Sequence, residues 1–522
     1  GKSCRHKPNQ TNPISSPYTI MLKENEIISR ALVTIDNFKG SLKAFKSSIT
    51  DGGYTQLHMP NCFSRTLVWK VCLITDSFKI STWESKLNDS IVVFDQLIIR
   101  YDMKLPWNKL DLDSVFYHSG DLSIKSSITR KLSSRDSKGL HKVSLLRVNT
   151  TEDPLSSSAQ LLGYVNTGDD LELLQTIILD IDRLFPGEDF FSESNKYSIH
   201  RKKQLIEILY LWSKCNPQVG YKQGLHEILG LIYMNLSQES VDISQTNTFS
   251  SDDMKILSLY NVHYLCHDVF TIFNKFMLQS GNITHFYASE DALWKSIENF
   301  NVYLMKIDQF IHYTLNTKLN LEPQLWIIRY LRLLLLRELG SDLETTMLLW
   351  DKLVSLQLPI NLGNSISSIP DILNFMIIQL LIQVKTDILS SDFSECLSIL
   401  LHYPFKPTTQ IEKHEFVKKL FKDAVKLYEK RNDDLKLYEY GIRLNNRYNP
   451  NLKILMNYTN GERSSTESVN SSRAASPAPG SNPPPTSAPP SLSSSRNDNM
   501  KFEKMRLEMR LKKKAQLMIN PK

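Results

Sequence analysis

Apolar positions along the chain recur with helical spacing. Leu293, Ile297, Phe300, Leu304, Ile307 and Ile311 follow one another at steps of three and four, an amphipathic helix. Ile199, Leu205, Ile208, Leu209 and Trp212 mark one face of a second helix, and Leu225, Ile228, Leu229, Leu231 and Ile232 begin a third. Leu171–Phe185 reads as a helix with Leu174, Ile177, Ile178 and Ile181 on its apolar side, ended by Pro186-Gly187. The same reading predicts helices over Arg65–Ile74, from Trp83 to Tyr101, over Asn261–Met277, from Pro323 through Leu333, and over Leu343–Leu353, Ile372–Val384, Cys396–Leu401 and Glu415–Tyr428. Residues 22–50 carry weaker helical periodicity. No sustained period of two occurs, so the expected class is all-α.

Polar breaks divide this pattern. Residues 1–20 are polar and expected to be disordered, with no secretory leader pattern. His118–Asp169 mixes Ser with Lys and Arg, and Ser237–Asp253 is rich in Ser and Thr; both read as flexible insertions. Residues 461–497 are dominated by Ser, Pro and Ala, which bury too little apolar area to offset ordering, and form a linker. Residues 498–522 read as a basic helical tail. The expected organisation is a helical domain over 21–404, a helical extension over 405–460, then linker and tail. Leu325–Leu339 and Ile372–Val384 are apolar but too short or too interrupted to span a bilayer, and read as core helices.

Charge and cysteines narrow the class. The net charge is +7. Arg496–Lys522 holds nine Lys/Arg against three Asp/Glu, which leaves the body near neutral. A nucleic-acid-binding body is therefore not indicated, and a basic surface for anionic membrane belongs to the tail. Six dispersed cysteines with no CxxC pair read as free thiols in a reducing compartment. His263-x-x-Cys266-His267 lacks a second ligand pair and reads as core packing. No phosphate-loop motif occurs, so the chain is not itself a nucleotide hydrolase of that kind.

Between the second and third helices lies Asn216-Pro217-Gln218-Val219-Gly220-Tyr221-Lys222-Gln223-Gly224-Leu225, a hinge that presents Gln223 near a helix start. Upstream, Asp180 and Arg183 are three apart and share a helix face. Ile177-x-x-Asp180-x-x-Arg183 followed by Gly220-Tyr221-x-Gln223-Gly224 resembles the two signature motifs of TBC domains, which activate GTP hydrolysis by Rab-type small GTPases. Arg65-Thr66-Leu67-Val68-Trp69 resembles the Arg-x-x-x-Trp near the start of such domains, and Asp153-Pro154-Leu155-Ser156 a short segment before their first catalytic motif. The stretch from Leu325 to Pro404 is most similar to the branch linked to late-endosomal sorting with the retromer coat, or its fungal Gyp-type relatives.

The resemblance implies an all-α, two-subdomain TBC fold and a regulator that is not itself a hydrolase. Arg183 would be an arginine finger, Gln223 a glutamine finger, and Asp180 would hold Arg183 in its inserting rotamer. Tyr221, framed by Gly220 and Gly224, would brace the loop, while Arg65 and Trp69 would shape the site from the side. The partner would be a Rab/Ypt GTPase in its GTP-bound state, bringing its own GTP and Mg²⁺, so no cofactor or metal of this chain is implied. The setting would be cytoplasmic, peripheral to Golgi or endosomal membranes, with sorting-coat or membrane contacts through the tails. A silent TBC-fold scaffold is the alternative. Leu184, Lys222 and Leu225 depart from the family's usual Thr, small residue and Met. Geometrically, residues 177–183 and 220–224 must share one groove, both facing solvent.

Overall fold

The computed structural model describes residues 17–100, 170–244, 248–278, 283–357 and 369–452. Among these, helices and turns carry the architecture, and the extended pairing is an isolated bridge between Val241 and Asn261. The expectations for 118–169, 461–497 and 498–522, and for Asp153–Ser156, lie outside the described residues. The described chain divides into two compact units, each assembled from separated segments.

The first unit comprises residues up to Ala292, then Arg332–Pro370 and Pro407–Lys422. At its centre runs helix Leu265–Leu278, whose Val269, Phe270, Ile272, Phe273, Phe276 and Met277 are buried. Helices Trp83–Arg100, Ser198–Cys215 and Leu225–Gln238 pack around it. Helix Asp170–Asp182 lies on Ser198–Cys215 and also touches Leu225–Gln238. Trp69, Trp83, Trp212 and Trp350 are buried, the bulk a core of this size needs. One buried charge pair joins Lys70, which donates at 2.8 Å, to Asp268, both within the core.

The second unit comprises Leu293–Leu331, Asp371–Lys406 and the residues from Asp423. Helix Ile369–Gln383 is mostly apolar, and its run from Ile372 to Ile382 is fully buried, Asn374 and Gln379 included. Helix Glu290–Ile307 turns Leu293, Ile297, Phe300, Leu304 and Ile307 inward, matching its spacing. Lys385 donates to Asp308 at 2.6 Å and to Asn445 at 3.1 Å, a satisfied buried cluster. Gly441 of helix Asp434–Tyr448 passes so near Ile307 that a Cβ would lie 2.1 Å from its carbonyl oxygen. No described helix is long and apolar enough to cross a membrane.

Several boundaries differ from the sequence reading. Helix Pro17–Asn37 begins inside the stretch expected to be disordered. The 237–253 stretch is only partly loop: the preceding helix runs to Gln238, Val241 bridges Asn261, and Ser250 caps helix Ser251–Ser258 through the Asp253 N–H. Arg65–Lys70 is α-helical, but Val71–Thr75 widens into a π turn closed by Asp76 at φ 47°. The helix expected from Pro323 is a 3₁₀ turn over Pro323–Leu325 followed by Ile327–Arg332. It then unwinds, with Leu334 at φ 49° and Leu335 at φ 64°. The freed Leu334 carbonyl accepts the indole N–H of Trp350 at 3.1 Å. The 405–460 stretch forms helices Gln410–Glu429 and Asp434–Tyr448, and its residues divide between the two units instead of making a body of their own.

Candidate functional site

Helix Asp170–Asp182 buries Leu174, Ile177, Ile178 and Ile181 against the first unit. It stops at Asp182, three residues before the expected end at Phe185, and Arg183 occupies the turn that follows. Phe185 sits at φ 41° and is buried, which turns the chain before Pro186. The turn alternates in exposure. Leu184 is 2% exposed, whereas the Arg183 side chain is 43% exposed. Leu184 rests on the bare backbone of Gly230, where an added Cβ would meet its Cδ2 at 2.6 Å. This contact seats the arginine turn directly on helix Leu225–Gln238.

The second segment is held just as locally. Asn216 ends helix Ser198–Cys215, and its carbonyl accepts the N–H groups of Val219 at 3.0 Å and Gly220 at 2.8 Å. Its side-chain amide donates to the Trp212 carbonyl at 2.9 Å. Gly220 at φ 63° and Gly224 at φ 105° bracket the three residues between them in backbone that favours glycine. Gly224 then starts helix Leu225–Gln238 without a side-chain cap of its own.

Asp180 joins the two segments. One carboxylate oxygen, Oδ1, pairs with the Arg183 guanidinium. The other, Oδ2, accepts the Tyr221 hydroxyl at 2.7 Å. Asp180 is 2% exposed, so this carboxylate is spent on its two partners. Arg183, Asp180, Tyr221 and the bracketed Gln223 therefore lie in one neighbourhood, as the sequence required. The expectation that both fingers face solvent fails for one of them: Gln223 is 7% exposed, packed within its loop. The surroundings are charged. Arg337 pairs with Glu227 at 2.8 Å in the first turn of the helix after the loop. Burial holds Lys222 below the usual lysine range, with Arg332 adding repulsion and Glu290 opposing it.

Residues 147–362 match the family model described as the Rab-GTPase-TBC domain. That stretch is similar to TBC domains. The chain is 26% identical over 259 residues to human TBC1 domain family member 5, covering 45% of this chain and 30% of that protein. It is 32% identical over 129 residues to the Dictyostelium discoideum TBC1 domain family member 5 homolog B, 25% of this chain and 12% of that one. A Schizosaccharomyces pombe TBC domain-containing protein is 25% identical over 230 residues, 42% and 33% of the two chains. The chain thus spans about a third or less of the length of these relatives. A crystal structure of the Ypt/Rab-GAP domain of Gyp1p superposes over 76% of this chain and 98% of its own, at TM-score 0.49 and 18% identity.

Arg65 and Trp69 stand elsewhere in the first unit than expected. Arg65 is 5% exposed and donates to Asp351 at 3.0 Å, to Glu344 at 2.9 Å and to Asn235 at 3.0 Å. The Trp69 indole donates to the same Asp351 at 2.7 Å. Burial raises the Asp351 carboxyl and Arg65 opposes the rise. Asn235 lies eleven residues beyond Gly224 on one helix, roughly 16 Å along its axis. Arg65 therefore anchors the far end of the helix that Gly224 begins, away from Gly224 and the loop before it.

Two contacts were not anticipated from the sequence. The His226 ring lies against the loop, its Nδ1 3.3 Å from the Gly224 nitrogen. Gly230 gave no signal, although Leu184, its partner, stood out as a family departure. The weak metal constellation is absorbed by ordinary pairs: His263 Nε2 lies 3.0 Å from Asp242, and His267 Nε2 lies 2.9 Å from Asp95. Among the described residues no group of three His, Cys, Asp or Glu is placed to hold a metal ion.

Proposed function

We propose that this chain accelerates GTP hydrolysis by a Rab/Ypt-type GTPase, supplying Arg183 and Gln223 in trans. The observation that carries this reading is the split carboxylate of Asp180, which holds Arg183 through one oxygen and Tyr221 through the other. Intrinsic hydrolysis is slow because negative charge builds on the phosphate oxygens and the attacking water is poorly placed. A guanidinium is always charged and forks onto two oxygens, which suits it to the first task. A neutral amide donates and accepts, which suits it to the second. Arg183 is 43% exposed and can reach outward, while its buried partner Asp180 retains the Tyr221 hydroxyl, so the move to phosphate exchanges one charge-assisted contact for another. Gln223 starts buried, so engagement must turn its amide outward, with Gly220 and Gly224 as the pivots. The nucleotide and its Mg²⁺ are carried by the GTPase.

Single-turnover phosphate release from a panel of GTP-loaded Rab-type GTPases tests this. A productive partner should be accelerated by wild type, and Arg183→Ala should lose about 10³-fold or more of that acceleration. Gln223→Ala should fall sharply as well. The burial of Gln223 favours a second reading, a scaffold of TBC fold that binds a GTPase or coat complex without speeding hydrolysis. Wild type that binds a GTPase yet accelerates none would establish the scaffold. Acceleration that survives Arg183→Ala would remove the finger assignment.

A further inference from the structure

His226 is a 5% exposed imidazole in the first turn of helix Leu225–Gln238. Its Nδ1 lies 3.3 Å from the backbone nitrogen of Gly224, 3.2 Å from the Tyr221 hydroxyl oxygen and 3.9 Å from Asp180 Oδ2. The Tyr221 hydroxyl has one proton and donates it to Asp180 at 2.7 Å. The Gly224 N–H is directed at Nδ1, which must therefore present its lone pair, placing the ring proton on Nε2.

The backbone needs this acceptor. Gly224 occupies the position before the helix, where a side chain would ordinarily satisfy the free N–H groups, and glycine has none. Its φ of 105° excludes the residues that cap best. His226 reaches back from within the helix to the N–H that opens it, the same reciprocity by which a capping-box carboxylate closes a helix start. One ring thus touches the loop at residues 221 and 224, on both sides of Gln223.

We propose that His226 is a positioning residue for Gln223: its Nδ1 accepts the Gly224 N–H, fixes the backbone immediately after that residue and so sets where the amide arrives when it turns outward. This rests on the GTPase-activating reading above. It adds a group that acts through the backbone, without touching nucleotide or water. An unfastened loop still binds the GTPase, because the charged surroundings and Arg183 are unchanged. It delivers the amide to the wrong place more often.

The test uses the full chain and whichever GTPase the panel identifies. His226→Leu keeps bulk and removes the acceptor. Its kcat for stimulated hydrolysis should fall about 10- to 100-fold, while KM for the GTPase stays near wild type. His226→Asn places an amide oxygen close to the position of Nδ1 and should recover most of the loss. In a Gln223→Ala background, His226→Leu should add little further loss, because its effect travels through the missing side chain. Equal losses in both backgrounds, a change confined to KM, an unaltered kcat in His226→Leu, or an Asn variant no better than Leu would each overturn the proposal. Wild type inert toward every GTPase is a different outcome: it removes the activating reading itself.

Discussion

Gly230→Ala probes how the arginine turn is held. The new Cβ would lie 2.6 Å from Leu184 Cδ2, 3.2 Å from Cδ1 and 3.3 Å from Cγ. Carbon atoms rest about 3.5–4.0 Å apart, so Leu184 must withdraw by about 1 Å. At 2% exposure the leucine has little free space, and Arg183 is its immediate neighbour in the chain. Overpacking of this kind costs about 1–3 kcal/mol, and alanine's better helix propensity offsets about 1 kcal/mol. The net loss, about 0–2 kcal/mol, leaves a domain of ordinary stability folded. A 1 Å displacement of a catalytic group, by contrast, costs about 10²-fold in rate. Stimulated single-turnover phosphate release, run beside a urea melt, should therefore show a large activity loss with a small stability change. Leu184→Ala combined with Gly230→Ala removes the overlap and should regain part of the activity. Full activity in Gly230→Ala, or a double variant no more active than the single, would refute the argument that this contact places the turn.

Three further outcomes follow from the buried polar groups and close contacts. Asp351→Asn takes a carboxylate from buried Arg65 and weakens its anchor, and should lower stability by about 3 kcal/mol in a denaturant melt. Lys352 donates to the carbonyls of Ile49 and Thr50, and burial lowers its amine to about 8. Its unfolded form binds the proton more tightly, so its contribution to stability should rise as pH climbs from about 8 to about 10.5; the wild-type rise minus that of Lys352→Met, read by melts across this window, isolates it. Gly441→Ala would set a methyl 2.1 Å from the Ile307 carbonyl oxygen, which cannot rotate away, and should destabilise the second unit by about 3 kcal/mol or more, seen as early loss of helical circular dichroism.

What the sequence disclosed depended on the range of the interaction. Helix Glu290–Ile307 was legible because its buried set is fixed by local period, and so was the fully buried run in Ile369–Gln383. The pairing of Asp180 with Arg183 was legible at three residues' separation. The end of that helix at Asp182 was not, because Leu184 settles on Gly230, forty-six residues on, and no local signal encodes that contact. Leu334 and Leu335 are good helix formers held at positive φ, an override of propensity by the packing of Trp350. Arg65 was visible as a motif residue, but its carboxylate Asp351 lies 286 positions away, so its role as an anchor was hidden. Gln223 followed the same rule: its type and spacing could be read, and its burial could not.

Interleaving has a practical consequence for cutting the gene. The family match ends at residue 362, yet Asp351 and Glu344 inside it neutralise Arg65 outside it. A fragment trimmed to 147–362 would strand buried Asp351 without its cation and discard Pro407–Lys422, which the first unit includes. Such a fragment carries Arg183 and Gln223 on a scaffold stripped of its counter-charge. A piece that keeps the first unit whole must therefore start ahead of Arg65 and extend through Lys422, a boundary that the motifs alone do not reveal.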